Sequence, residues 1–99
     1  DFGFRPENID PVGRLFNPDL AGGSLLDVGI YPISLSFMIN GTPDSFVTEC
    51  TKGRTGVDEQ ASMIFKYPNG SMALLHSSIQ ADTRQEAFIS GTEGSIRIH

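Results

Sequence analysis

The amino-acid sequence predicts an α+β fold, one kinked helix packed on an open antiparallel sheet. Two observations carry that expectation. Apolar residues recur at helical spacing only between Ser24 and Asn40, and beyond Gly41 the pattern changes to alternation, broken by short turn sequences. A chain of 99 residues suits one small domain. It divides into a loop over 1–23, a helix over 24–40 and an antiparallel sheet over 45–99.

The loop is dense in Pro, Gly, Asn and Asp: Pro6, Pro11, Gly13, Asn17, Pro18, Gly22 and Gly23. Loops of this length in compact domains are either functional or disordered. Ser24 then reads as an N-cap with Asp27 three residues on, a start resembling a capping box. Leu26, Ile30, Ile33 and Phe37 recur at helical spacing and are expected to form the buried stripe. Asn40-Gly41 supplies the stop and Pro43 forbids resumption. Pro32 has no N–H and its ring crowds the carbonyl of Val28, so a kink is expected around Gly29 to Tyr31.

Past Gly41, Phe46 to Thr51 reads as a strand, and Ala61, Met63, Phe65 and Tyr67 alternate with polar neighbours to give a second. Pro68-Asn69-Gly70-Ser71 is a hairpin turn, because Asn-Gly tolerates positive φ. With Asn69 and Gly70 as a two-residue loop, Tyr67 faces Met72, Phe65 faces Leu74 and Met63 faces His76. That register gathers the apolar side chains on one face. A last hairpin folds about Gly91-Thr92-Glu93-Gly94. The result is a meander of four or five strands. One helix covers only part of one sheet face, so the other face is wet or meets another domain or subunit.

Composition excludes several classes of partner. Seven Lys+Arg against 12 Asp+Glu give a formal net charge of −5. No basic stripe exists to neutralise phosphates, so nucleic acid and anionic lipid are not expected. No run of about 18 apolar residues is evident, so no membrane-spanning segment is expected. Cys50 is the one cysteine and forms no internal disulfide. His76 and His99 are isolated, no cluster has metal-site spacing, and no metal is expected. His76 reads as a partly buried sheet residue, and Asp58-Glu59 as a solvated strand entrance. No signal-peptide pattern is visible from Asp1 onward and the chain reads as a piece of a larger protein, for which a cytoplasmic setting is expected.

The stretch from Gly22 to Tyr31 is the most informative. Two glycines let the backbone approach something closely at a helix N-terminus, where free N–H groups and the dipole are available. Asp27 and Tyr31 are four apart and share a helix face with Ser34 and Met38. A carboxylate beside a phenol is a plausible proton-handling pair. From the residues alone, Asp27 as a helix cap and Tyr31 as an interface aromatic is the plainer alternative.

Arg14-Leu15-Phe16-Asn17-Pro18, followed by Gly22-Gly23-Ser24-Leu25-Leu26-Asp27-Val28-Gly29-Ile30-Tyr31-Pro32, resembles the C-terminal domain of the Gfo/Idh/MocA family. The Tyr form of the motif is similar to the glucose–fructose oxidoreductase and dihydrodiol dehydrogenase branch. Thr55-Gly56-Val57-Asp58, Tyr67-Pro68-Asn69-Gly70 and Ile89-Ser90-Gly91-Thr92-Glu93-Gly94-Ser95-Ile96 extend the resemblance along the chain.

The resemblance implies a substrate-binding and oligomerisation domain of an NAD(P)-dependent oxidoreductase, with residues 1–23 as an active-site loop. Tyr31 and Asp27 would be catalytic, Tyr31 as proton donor or acceptor and Asp27 as its positioner or a ligand to a substrate hydroxyl. Arg14 and Asn17 would bind substrate, with a minor cofactor contact from Arg14. NAD or NADP would be held by a Rossmann domain that also carries the family's catalytic Lys. The substrate would be a sugar, cyclitol or dihydrodiol-like alcohol, and the open sheet face would mediate self-association. No Gly-x-Gly-x-x-Gly fingerprint lies in this sequence, so these 99 residues alone are expected to be inactive. A non-enzymatic, sheet-mediated self-association module is the alternative.

Overall fold

A computed structural model describes all of residues 1–99. Its elements are β1 (Phe2–Gly3), a 3-10 turn (Pro18–Leu20), a π-helical turn (Leu25–Gly29), α1 (Ile30–Asn40), β2 (Ser45–Lys52), β3 (Asp58–Lys66), β4 (Met72–Ser78), β5 (Ala87–Gly91) and β6 (Gly94–Ile98). One sheet has the order β1-β4-β3-β2, and β5-β6 forms a separate hairpin. The α+β expectation holds, with one addition. Phe2–Gly3 is a short strand that pairs in parallel with Ser77 and Ser78, so the sheet is mixed.

The expected kink is a change of helix type. The wide turn ends at Gly29 and the regular helix starts at Ile30. Pro32 then falls in the first turn of α1, where a missing N–H costs nothing. The stretch Pro18–Asn40 is, contrary to expectation, apolar and long enough by composition to cross a membrane, at 23 residues. Its geometry is discontinuous, because Gly23 breaks it at φ 113°. The 11 residues of α1 rise about 16 Å, half a hydrocarbon core.

The buried helix face is not the expected stripe. Val28, Gly29, Pro32 and Ser36 face the sheet, while Leu26 and Ile30 are exposed, Ile33 packs on the core and the partly exposed Phe37 sets its ring edge-on to Phe65. Small residues win because they let the helix lie close. A Cβ on Gly29 would stand 3.2 Å from Ser77 Oγ, and the Ser36 hydroxyl bonds the buried Tyr67 hydroxyl.

The β3–β4 register also differs by one residue from the expected one. Phe65 pairs with Ala73, Ile64 with Leu74, Met63 with Leu75 and Ser62 with His76. The loop has three residues, Pro68 to Gly70. Gly70 sits at φ 88°, and its N–H reaches the Tyr67 carbonyl at 3.0 Å. A slip of one residue turns every β4 side chain over. Ala73 and Leu75 therefore join Met63, Phe65 and Tyr67 under the helix. Met72 and Leu74 point outward, Leu74 at 76% exposure. His76 bonds Ser62 Oγ at 2.8 Å instead of facing Met63. A second cluster of Phe16, Val28, Val57 and Ile79 anchors the N-terminal loop.

The surface is 6627 Å², against about 5,500 Å² for a compact monomer of this mass. Large apolar side chains such as Met38, Phe46 and Leu74 are among its exposed residues.

Candidate functional site

The helix start is held from outside the helix. Ser24 is fully buried and helical, and its side chain caps nothing locally. Its hydroxyl donates to Asp58 Oδ2 at 3.0 Å and bonds Ser77 Oγ at 3.0 Å. The same Asp58 oxygen accepts the Leu25 N–H at 2.7 Å. Asp58, at the start of β3, is therefore the cap that sequence reading assigned to Ser24, and it is not a solvated strand entrance. The carboxylate satisfies an orphan N–H and suits the positive end of the helix dipole. No local spacing signals this, because cap and helix are 33 residues apart.

The two glycines make this possible by approaching their own chain and not a ligand. A Cβ on Gly23 would lie 2.4 Å from Asp58 Oδ1, and one on Gly22 would lie 2.7 Å from the Leu15 carbonyl. The Gly23 N–H bonds that carbonyl at 2.8 Å. With Phe16 buried beside Val28, the loop is fastened on either side of the helix entrance. Arg14, just before these anchors, is left to project beside the first helical turn.

There Arg14 Nη1 meets Asp27 Oδ1 at 2.7 Å, with side-chain exposures of 66% and 17%. Tyr31 lies one turn further along the same face, 58% exposed. Its ring rests on Phe2 at a centroid distance of 5.0 Å. Beyond it opens a cavity of about 820 Å³, lined in part by Tyr31, Phe2, Leu35 and Ile39. Arg14 and Asp27 lie outside that lining, so the phenol stands between an ion pair and a hollow.

Asn17 is engaged elsewhere. Its Nδ2 donates to the Val12 carbonyl at 3.2 Å, and its Oδ1 accepts from Asp19 N–H at 3.0 Å. It shapes the loop that carries Arg14. The structure thus joins Arg14 to Asp27, sets Tyr31 four residues further along the helix against Phe2, and turns Asn17 inward to its own loop. Arg14 fixes the Asp27 carboxylate while keeping further N–H donors for an incoming oxygen. The phenol can give or accept a proton at an oxygen placed over it. Across the same cavity, just ahead of β5, the Arg97 guanidinium bonds Glu86 at 2.6 Å and holds that carboxyl below its ordinary range.

Comparison with known proteins adds an independent line. The GFO/IDH/MocA C-terminal domain profile matches residues 2–97. The chain is 36% identical over 98 residues to D-xylose 1-dehydrogenase (NADP(+)) 2 of Haloferax volcanii, covering 97% of this chain and 30% of that protein. It is 39% identical over 92 residues to trans-1,2-dihydrobenzene-1,2-diol dehydrogenase of Xenopus tropicalis, covering 91% of this chain and 28% of that protein. The human protein of the same name is 30% identical over 94 residues, covering 93% of this chain and 28% of its own length. The chain spans less than a third of these relatives.

Proposed function

The chain belongs to the GFO/IDH/MocA family, as its C-terminal domain, and from that premise we propose that it forms the substrate-binding domain of a nicotinamide-dependent alcohol oxidoreductase. The observation that carries this reading is the joint presentation of Asp27, held by Arg14, and Tyr31 on one uncovered face of the helix. The substrate is a small polyol, a sugar, cyclitol or dihydrodiol, in line with the names of the relatives. The D-xylose dehydrogenase names favour NADP over NAD.

The dinucleotide is held by parts of the full-length protein outside these 99 residues. When bound, it supplies the hydride acceptor or donor. In this domain the Tyr31 phenol exchanges a proton with the reacting oxygen as the neighbouring carbon changes oxidation state. Asp27 binds a second substrate hydroxyl, and Arg14 locks its carboxylate and offers its outer N–H groups to a substrate or phosphate oxygen. Residues 1–23 act as an active-site loop through Arg14, with Asn17 setting the loop's shape.

Replacing Tyr31 by Phe in the full-length enzyme is the decisive experiment. General acid–base help is worth about 10² to 10⁴, so kcat is expected to fall by that range with KM little changed. Near-normal turnover at saturating substrate removes Tyr31 from the chemistry.

Self-association through the sheet is a compatible second reading. Val47, Ile64, Met72 and Leu74 lie exposed on the face away from the helix, and exposed apolar patches of this kind mark interfaces. Sedimentation of the full-length protein is expected to show a dimer that Leu74→Asp weakens, and a monomer at high concentration ends this reading.

A further inference from the structure

The four-stranded sheet and the β5–β6 hairpin are stitched together at one end by β1. Phe4 N–H donates to the Ser78 carbonyl at 3.0 Å, beside the parallel pairs Phe2–Ser77 and Gly3–Ser78. On the other edge of β1, the Asp1 amine donates to the Glu86 carbonyl at 2.9 Å, and the Gly3 carbonyl accepts from Thr83 N–H at 3.1 Å. Residues along a strand address its two sides alternately. Phe2 and Phe4 therefore face β4, while Asp1 and Gly3 face the segment that opens β5. A strand of two residues has the bonding of an interior strand.

Past this stitch the flanking edges run on unpaired. Tyr67 N–H donates to Ser71 O and Ile79 N–H to Glu59 O, so odd-numbered residues of β4 bond β3. Met72 and Leu74 accordingly turn their main-chain N–H and C=O groups into the gap, as does the His76 N–H, the His76 carbonyl lying on the stretch taken by β1. Glu86 turns toward β1, and alternation sends Phe88 and Ser90 the same way. The gap is the cavity of about 820 Å³, with β4 on one wall, β5 on the other, and Leu35 and Ile39 of α1 above. Two facing rows of unpaired N–H and C=O groups are a template for one more strand.

We propose that this slot is filled by the polypeptide immediately N-terminal to Asp1 in the full-length protein, continuing β1 and joining everything into one six-stranded sheet ordered β2-β3-β4-β1-β5-β6. Both registers agree on its course. The residue before Asp1 falls opposite Leu75 on one side and Ala87 on the other, and the one before that opposite Leu74 and Phe88. Two further observations favour this occupant. More than two thirds of the relatives' length lies outside the match. The slot is closed at one end by β1, so a strand continuous with β1 enters without a break. The strand also bears on Tyr31, because Phe2 is the residue on which that ring rests.

Hydrogen exchange of the full-length protein tests this. The amides of Leu74, His76 and Phe88 are expected to exchange within about tenfold of Ala73 and Leu75, whose amides bond β3. A cysteine introduced two residues ahead of Asp1 is expected to form an intramolecular disulfide with Leu74→Cys, in a Cys50→Ser background that removes the exposed native thiol. Exchange at Leu74 and His76 about a thousandfold faster than at Ala73 overturns the proposal. So does a disulfide that forms only between two chains, which would give the slot to a second copy.

Discussion

The helix face turned to the sheet carries Val28, Gly29, Pro32 and Ser36, whereas the face turned away carries Asp27, Tyr31, Ser34 and Met38. The first is made of small side chains with every polar group matched, as in the Ser36–Tyr67 pair and the Ser24–Asp58–Ser77 network. The second mixes an ion pair, a phenol and a methionine in the open. Close approach selects for small residues, so bulky side chains such as Leu26, Ile30 and Met38 are left on the exposed surface of this helix. On the proposed reading, stability and chemistry fall to opposite sides of one short helix.

That division is testable by substitution, beginning with the largest effect. Tyr31→Phe is expected to lower turnover of the full-length enzyme by about 10² to 10⁴ while its melting temperature stays unchanged. A fall in both would erase the distinction between the faces. Asp58→Ala strips the helix start of its cap and leaves the Ser24 hydroxyl and Leu25 N–H short of a partner, at a cost of about 2 kcal/mol in chemical denaturation. KM and kcat of the surviving folded enzyme should move far less than in Tyr31→Phe. Arg14→Ala should cost under about 1 kcal/mol of stability, since its pair is exposed on one side. Its larger effect should be a raised KM.

The smallest effect lies at the entry to the β5–β6 hairpin. Arg97 holds Glu86 below the ordinary carboxylate value of 4.5. A lowered folded value means the contribution is present above that ordinary value and is lost as pH falls through the folded one. The difference in melting temperature between wild type and Glu86→Gln should therefore be visible at neutral pH and shrink in acid. A constant difference across pH would give Glu86 another role.

The two hairpins show how far local sequence reaches. Gly91-Thr92-Glu93-Gly94 closes with Gly91 opposite Gly94, at the place its turn residues mark. Tyr67-Pro68-Asn69-Gly70-Ser71 admits two loops that differ by one residue. The three-residue form prevails, with Ser71 N–H bonding Asn69 Oδ1 at 2.9 Å, and a slip that is small in the chain reverses a whole strand face. The site shows the same contrast. Asp27 and Tyr31 were legible from their spacing of four, and Arg14 from its motif. Asp58 was not, because a cap delivered across 33 residues leaves no periodic trace.

Sequence alone therefore determined the class of the fold, the single broken helix, the placement of most strands, and the grouping of Asp27 with Tyr31. Each follows from periodicity, proline chemistry or turn residues acting over a few positions. Tertiary structure alone decided which helix face is buried, which β4 side chains meet the core, what caps the helix, and that Arg14 reaches Asp27. These depend on how closely two backbones can approach, and that distance is set by glycines and serines contacting residues far away in the chain.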